Sequence, residues 1–311
     1  KEVLIVVSAM GKMTNTFEDL VKAYHQNETN LEKHLDKARL FHLTIIENLD
    51  FGQNASILDE LKTIFIEISD FLQKNNSTDY DYIYDQIVSK AELISTRICS
   101  AYLAKHGVKH QWLDVRKCIK TDSDYRRARV DWETTTKAIQ DKVDTSGITL
   151  TQGFIGSDNY GRTTTLGREG SDYTAGIFAF CLDAEKVSIF KDVPGVLNAD
   201  PREFEETHLI EQISYKEAIE MAFYGASVIH PKTLQPLQRK GIPLLVRSFL
   251  DVNSKGTYVG SELDIVPKIP CFIVKKHQIL ISISDKEFQF VMEHDISEIF
   301  GFLHQYKIKV N

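Results

Sequence analysis

Residue types suited to phosphate and carboxylate chemistry fall in four stretches of this chain. The richest is residues 151–176, TQGFIGSDNYGRTTTLGREGSDYTAG, with glycines at 153, 156, 161, 167, 170 and 176. Glycine lets backbone amides approach phosphate oxygens closely. A helix starting just beyond presents free N–H groups and the positive end of its dipole. Thr163, Thr164 and Thr165 offer hydroxyls, and Arg168 offers a planar fork suited to a carboxylate or phosphate. Asp172, just inside the helix, is placed to orient a lysine or hold Mg2+. The stretch is neither a GxxxxGK(S/T) loop nor a GxGxxG turn. On composition alone it is equally a glycine-rich connection with a satisfied helix cap.

The second stretch is KDVPGVLNADPR at 191–202, after an apolar run ending at Phe190. Ligands of open α/β sheets sit beyond the carboxyl ends of strands, where Asp192 can meet a nucleotide and Arg202 its phosphates. Pro-Gly and Asp-Pro also mark tight turns, which is the plainer reading of the stretch taken alone. The third is Glu92 within SKAELIST, placed near a helix start, where an isolated glutamate is ordinarily solvated. The fourth is ASVIHP at 226–231, where Pro231 fixes a turn and makes His230 structural rather than catalytic.

The elements that must position these residues alternate. Val3–Val7 reads as a fully buried strand of a parallel sheet. A helical pattern starts near Asn15 or Thr16 and runs to about His106. Ile57, Leu61, Ile64, Phe65 and Ile68 form one apolar face, and the pattern breaks at 75–78. Strands are predicted at 111–115, 148–155, 187–190 and 243–247, and helices at 132–143, 171–181, 215–223 and 232–240. Such alternation gives an α/β fold, a largely parallel sheet sandwiched by helices. Composition shifts in a glycine-containing connector at 253–260. A strand at 277–284, a helix at 296–306 and a strand from 308 then restart a β–α–β order.

Taken together, VVSAMGKMTN, ELIST, TQGFIGSDNYGRTTTLGREGSDYTA, KDVPGVLNADPR and YGASVIHPKTLQPLQRKGIPLLVR resemble the signature segments of aspartate kinases, in the amino-acid kinase superfamily. The resemblance implies a catalytic domain over 1–262 and, from 263 to 311, the beginning of a C-terminal ACT-type regulatory domain. It implies transfer of the γ-phosphate of ATP to L-aspartate with Mg2+, at the head of lysine, threonine and methionine biosynthesis. Ser8, Thr14, Glu92, Phe154, Arg168 and Ser171 lie where the family contacts aspartate, with Arg168 on a carboxylate and Glu92 on the ammonium. Asp172, Lys191, Asp192, Arg202 and Ser227 lie on the ATP side, with Asp172 and Arg168 the catalytic pair. Ser227 stands where many members carry a lysine, Lys191 where others have threonine, Glu169 where a glycine is common and Ala91 where another glycine is common. Lys191 is in place to restore the charge lost at Ser227. The resemblance also implies a homodimer or larger and an amino-acid effector, lysine in preference to threonine. The alternatives are the front part of a bifunctional kinase–homoserine dehydrogenase, a non-catalytic binding homologue, and a kinase for another carboxylate such as glutamate.

Composition narrows the partners. The chain has 311 residues, 42% hydrophobic and 26% charged, with a formal net charge of −7. That balance and the lack of a basic run disfavour nucleic acid. The early apolar run is too short for a membrane span or signal-peptide core, so a cytoplasmic protein is expected. Cys99, Cys118, Cys181 and Cys271 form no CxxC pair and read as free thiols. The chain opens at Lys1 inside a strand. Residues upstream are therefore expected, including the family's KFGGTSV segment, and the 311 residues alone are expected to be inactive and poorly folded.

Overall fold

A computed structural model describes residues 2–52, 56–225, 228–251, 253–283, 292–306 and 308. The first strand, β1 (Val3–Val7), is followed by four helices: α1 (Met13–His25), α2 (Leu31–Asn48), α3 (Ser56–Lys74) and α4 (Tyr80–Lys105). These carry the apolar periodicity seen in the sequence. Ile57, Leu61, Phe65 and Ile68 of α3 are buried against Phe17 and Leu20 of α1 and Ile83, Ile87 and Ile94 of α4, and Ile64 is partly buried beside them. Helix α4 starts where Asp79 accepts hydrogen bonds from the Asp81 and Tyr82 amides, relieving two of the unpaired N–H groups of its first turn.

The chain then forms β2 (Gln111–Leu113), a 3-10 turn at Val115–Lys117, α5 (Trp132–Lys142) and β3 (Ile148–Gln152). In the first sheet, ordered β1-β3-β2, both pairings are parallel. The strand predicted at 111–115 stops at Leu113, because the Asp114 carboxylate accepts from the Arg116 amide and starts the 3-10 turn. The strand predicted at 148–155 is also cut, at Gly153 and Phe154, where Phe154 adopts φ 69°. Past this kink, β4 (Ile155–Ser157) and β5 (Thr163–Thr165) form an antiparallel hairpin. The Thr-rich stretch at 163–165, which composition alone reads as part of a glycine-rich connection, is therefore a strand.

Next come α6 (Gly170–Cys181), β6 (Val187–Lys191), β7 (Gln212–Ser214), α7 (Tyr215–Tyr224), α8 (Pro231–Lys240), β8 (Leu244–Ser248) and β9 (Thr257–Gly260). The second sheet is ordered β6-β8-β9-β7, parallel except for β8–β9. Strand β9 lies in the stretch expected to be a connector, and the burial of Thr257 and Val259 at 0% exposure explains why it pairs instead. His230 caps α8, its Nδ1 accepting from the Lys232 amide, in line with a structural role. The fold is thus a mixed α/β arrangement with mostly parallel pairing.

Residues beyond β9 continue onto the second core. Val266 donates to the Gln212 carbonyl and Phe272 to that of Asn198, while Ile265, Cys271 and Ile273 pack beneath. The strand predicted at 277–284 is not formed over the described residues 277–283. Ile279 and Leu280 there are 87% and 97% exposed, and they pair with no described strand. Ser284 and most of the strand predicted from 308 lie outside the described residues. Helix α9 (Glu293–Gln305) forms near the predicted place and buries none of its described side chains.

Candidate active site

One cleft of about 810 Å3 gathers most of the residues singled out in the sequence. Ser8, Thr14, Glu92, Phe154, Arg168, Ser171, Asp172, Lys191 and Asp192 all line it, together with Glu169 and Gly170. Its floor is the end of β1 and the kink after β3. The kink depends on close packing. A Cβ on Gly153 would sit 2.6 Å from the Ser171 Cα, and one on Gly170 would sit 3.0 Å from the Phe154 Cα. Only glycine lets this loop touch the first turn of α6. Thr174 then fixes it, its Oγ1 accepting from the Phe154 amide at 3.0 Å and donating to the Gly170 carbonyl at 2.8 Å.

Glu92 lies in the middle of α4, not near its start as the sequence suggested, and is 2% exposed. Its Oε2 has no hydrogen-bond partner although it is buried at the cleft wall. Burial pushes its pKa up to about 8, and a hydrogen bond from the Ala9 amide acts in the opposite direction. Ser95, one turn on, donates to the Ser8 carbonyl at 2.6 Å and ties the end of β1 to the same helix. Arg168 lines the cleft from the β5–α6 connection. Its guanidinium makes no hydrogen bond or ion pair with the described residues. A desolvated carboxyl with an orphaned oxygen and an unpaired guanidinium in one cleft suit the two charged ends of an amino acid.

The other end of the cleft brings a helix N-terminus together with one lysine and several carboxylates. The first turn of α6, Gly170–Ser171–Asp172, faces it with its free amides. Lys191, ending β6, places Nζ 2.8 Å from Asp172 Oδ2 and 3.8 Å from Glu169 Oε2. Glu169 is the residue before α6, at φ 51°, a left-handed conformation that favours glycine. It makes no side-chain cap, and burial raises its pKa, partly opposed by Lys191.

Three expectations need correction or placement. Arg202 does not reach the cleft, since its guanidinium is spent on Asp200 at 2.6–3.1 Å, a local turn pairing that leaves the side chain 78% exposed. Ser227 lies outside the described residues. Two of the three TTT threonines do not supply free hydroxyls. Thr163 Oγ1 accepts from Arg116, Thr164 pairs with Thr121, and Thr165 donates to Asp85. Sequence reasoning also missed Tyr84, Arg126 and Arg127, which line the same cleft. Their signal was tertiary, since the loop around Arg126 is far from every glycine-rich segment. Among the described residues no cluster of three metal-binding side chains occurs.

This fold and cleft define an amino acid kinase: the model of the amino acid kinase family matches residues 1–248, and the chain belongs to that family. Within it the chain falls with the aspartokinases. It is 35% identical over 315 residues to the lysine-sensitive aspartokinase 3 of Escherichia coli, a match covering 99% of this chain and 68% of that one. A chloroplastic bifunctional aspartokinase/homoserine dehydrogenase of Daucus carota is 32% identical over 83% of this chain, which spans only 29% of that longer protein. The crystal structure of E. coli aspartokinase III with aspartate and ADP superposes with a TM-score of 0.82 at 32% identity, covering 99% of this chain and 68% of that one. The lysine and aspartate complex of the same enzyme gives 0.78.

Proposed function

We propose that this chain carries the catalytic unit of an aspartate kinase, transferring the γ-phosphate of ATP to the side-chain carboxylate of L-aspartate to give 4-phospho-L-aspartate. The carrying observation is the pairing, in one cleft, of buried Glu92 with an orphaned oxygen and of unpaired Arg168. Glu92 takes the ammonium and Arg168 a carboxylate, while Ser8, Thr14, Phe154 and Ser171 complete the aspartate side. The attacking carboxylate is ionised at neutral pH, its usual pKa being near 4, so no general base is needed. The chain aligns it with the γ-phosphorus and neutralises charge on the transferring group. Lys191 and the α6 amides act on the phosphates, with Asp172 holding Lys191. Asp192, together with the Asp172 oxygen not paired with Lys191, would hold a Mg2+ arriving with the nucleotide, since such an ion needs only one or two protein carboxylates; it would supply positive charge to the phosphates. The E. coli relative is described with aspartate, ADP and lysine, which supports these ligands here. Lysine is the preferred effector, bound by a module that residues from about 263 begin, in a dimeric or larger cytoplasmic enzyme that opens the lysine, threonine and methionine routes. No described helix is long and apolar enough to cross a membrane. The test is ATP-dependent formation of a hydroxylamine-trappable acyl phosphate by the full-length protein, with aspartate, glutamate and N-acetylglutamate compared. Absence of product with aspartate would sink the reading.

Glu92 gives this reading a proton signature. Its pKa of about 8 leaves the empty site mostly protonated at pH 7. An ammonium stabilises the ionised form, so aspartate binding releases close to one proton at pH 7. Affinity therefore rises with pH up to about 8 and flattens above, where the group is already ionised. Calorimetry at pH 7 in buffers of different ionisation enthalpy measures the release directly. Binding without proton release would contradict the assignment, and Glu92→Gln should abolish the release.

A further inference from the structure

The cleft has a second buried carboxylate behind it that the mechanism above does not use. Asp85 lies on α4, seven residues before Glu92, and is 0% exposed. That spacing is two helical turns, about 10 Å along one side of the helix. Its Oδ2 accepts from the Thr165 amide at 2.8 Å and the Arg126 amide at 3.0 Å, and its Oδ1 accepts from the Thr165 hydroxyl at 2.7 Å. Three donors converging on one buried carboxyl join segments 41 and 80 residues away in sequence. They also join those segments to each other, since the Ala128 amide donates to the Thr165 carbonyl at 3.1 Å.

Both segments are lips of the cleft. Thr165 lies three residues before Arg168, and the intervening Leu166 amide is held by the Phe154 carbonyl at 2.8 Å. The Arg126 loop is strained, with φ 63° at Arg126, and is pinned to α4 by its side chain. That guanidinium pairs with Asp81 at 3.1 Å and lies 4.4 Å from the Tyr84 ring centroid. A Cβ on Gly167 would approach the Arg126 carbonyl to 3.3 Å, so the two lips touch. A non-glycine residue at positive φ persists where surrounding contacts over-determine it. Here Asp85 supplies the contact to its amide. Burial pushes Asp85 up to about 7, and the three donors pull the other way.

We propose that Asp85 is a positioning residue for substrate recognition: by holding Thr165 and Arg126 it fixes Arg168 relative to Glu92, so one helix sets the spacing of the two groups that read the amino acid. The proposal rests on the aspartate reading of the cleft. Asparagine retains the geometry, because its carbonyl oxygen serves the two amides while its NH2 group faces a hydroxyl able to turn and accept. Alanine retains nothing. Asp85→Ala should raise the aspartate KM about ten-fold, leave the ATP KM within about two-fold, and add little in an Arg168→Ala background, as expected for residues acting through one contact. Asp85→Asn should stay within about three-fold of wild type. Thr165→Val, which removes only the hydroxyl, should fall between and remains readable if the alanine variant fails to fold.

Hydrogen exchange on the full-length protein separates this proposal from the substrate assignment. Asp85→Ala or Thr165→Val should speed exchange in peptides spanning 126–128 and 164–168 while the α1 and α3 peptides keep their protection, whatever the substrate. An equal rise in the KM of both substrates, additive effects with Arg168→Ala, an asparagine variant as impaired as alanine, or unchanged exchange at 164–168 would each overturn it. If the wild type forms no aspartyl phosphate yet exchange responds as described, the substrate reading fails and the positioning role stands.

Discussion

Replacing Arg168 with alanine raises the aspartate KM about ten- to a hundred-fold and changes the ATP KM little. The guanidinium lines the cleft with no hydrogen bond or ion pair to the described residues, so its removal leaves no protein group stranded. The loss is then that of a charge-assisted contact to substrate, about 1.5–3 kcal/mol. Each 1.4 kcal/mol is a factor of ten in binding, which gives the stated range. Arg168→Lys keeps the charge and loses the fork, so it should recover only part of the effect. Stability should barely move, because Arg168 is exposed and carries no packing. Steady-state titrations of aspartate at saturating ATP decide the matter. An unchanged aspartate KM in the alanine variant would remove Arg168 from the substrate site, and with it the two-ended reading of the cleft.

Sequence patterns revealed the parts of this site that are local. GREGSDYTA announces a turn, a helix start and the side chains of its first turn within nine residues, and Arg168, Ser171 and Asp172 all line the cleft. The apolar periodicity of α3 likewise needs no partner to be seen. What stayed hidden depends on contacts between distant segments. Glu92 looked like a solvated helix residue, because nothing in SKAELIST shows that α4 is buried from Ile83 to Ile98. Thr164 and Thr165 looked like phosphate donors, yet their hydroxyls are taken by Thr121 and Asp85, 43 and 80 residues away. Arg202 failed for the opposite reason. Asp200, two residues before it, captures its guanidinium and is itself held down at about 2. Strand β9 was hidden because the Ser-Lys-Gly turn before it reads as linker, whereas its pairing with β7 and β8 comes from elsewhere in the chain.

Lys191→Met should lower kcat about ten- to a hundred-fold and raise the ATP KM, and Glu169→Gly in the same chain should restore several-fold of that loss. Lys191 Nζ is 2.8 Å from Asp172 and 3.8 Å from Glu169, with 21% of its side chain exposed. It therefore neutralises two carboxylates beside the first turn of α6, the proposed phosphate end of the cleft. On the proposed reading, removing it deletes a cation that acts on the transferring group, a kind of loss that elsewhere costs about a hundred-fold or more. It also uncovers Glu169 and Asp172, whose charges then oppose the nucleotide. Glycine at 169 removes one of those charges. It also relieves the left-handed backbone at φ 51°, where the glutamate side chain makes no cap. Glu169→Gly alone should therefore raise the melting temperature and leave the ATP KM near wild type, because Lys191 still pairs with Asp172. The two substitutions should be coupled by about 1 kcal/mol, as expected for charges in direct contact. A thermodynamic cycle over the four proteins, read as kcat/KM for ATP, measures the coupling. Strict additivity would show that Lys191 and Glu169 act apart, and a Lys191→Met enzyme with wild-type turnover would remove Lys191 from phosphate stabilisation.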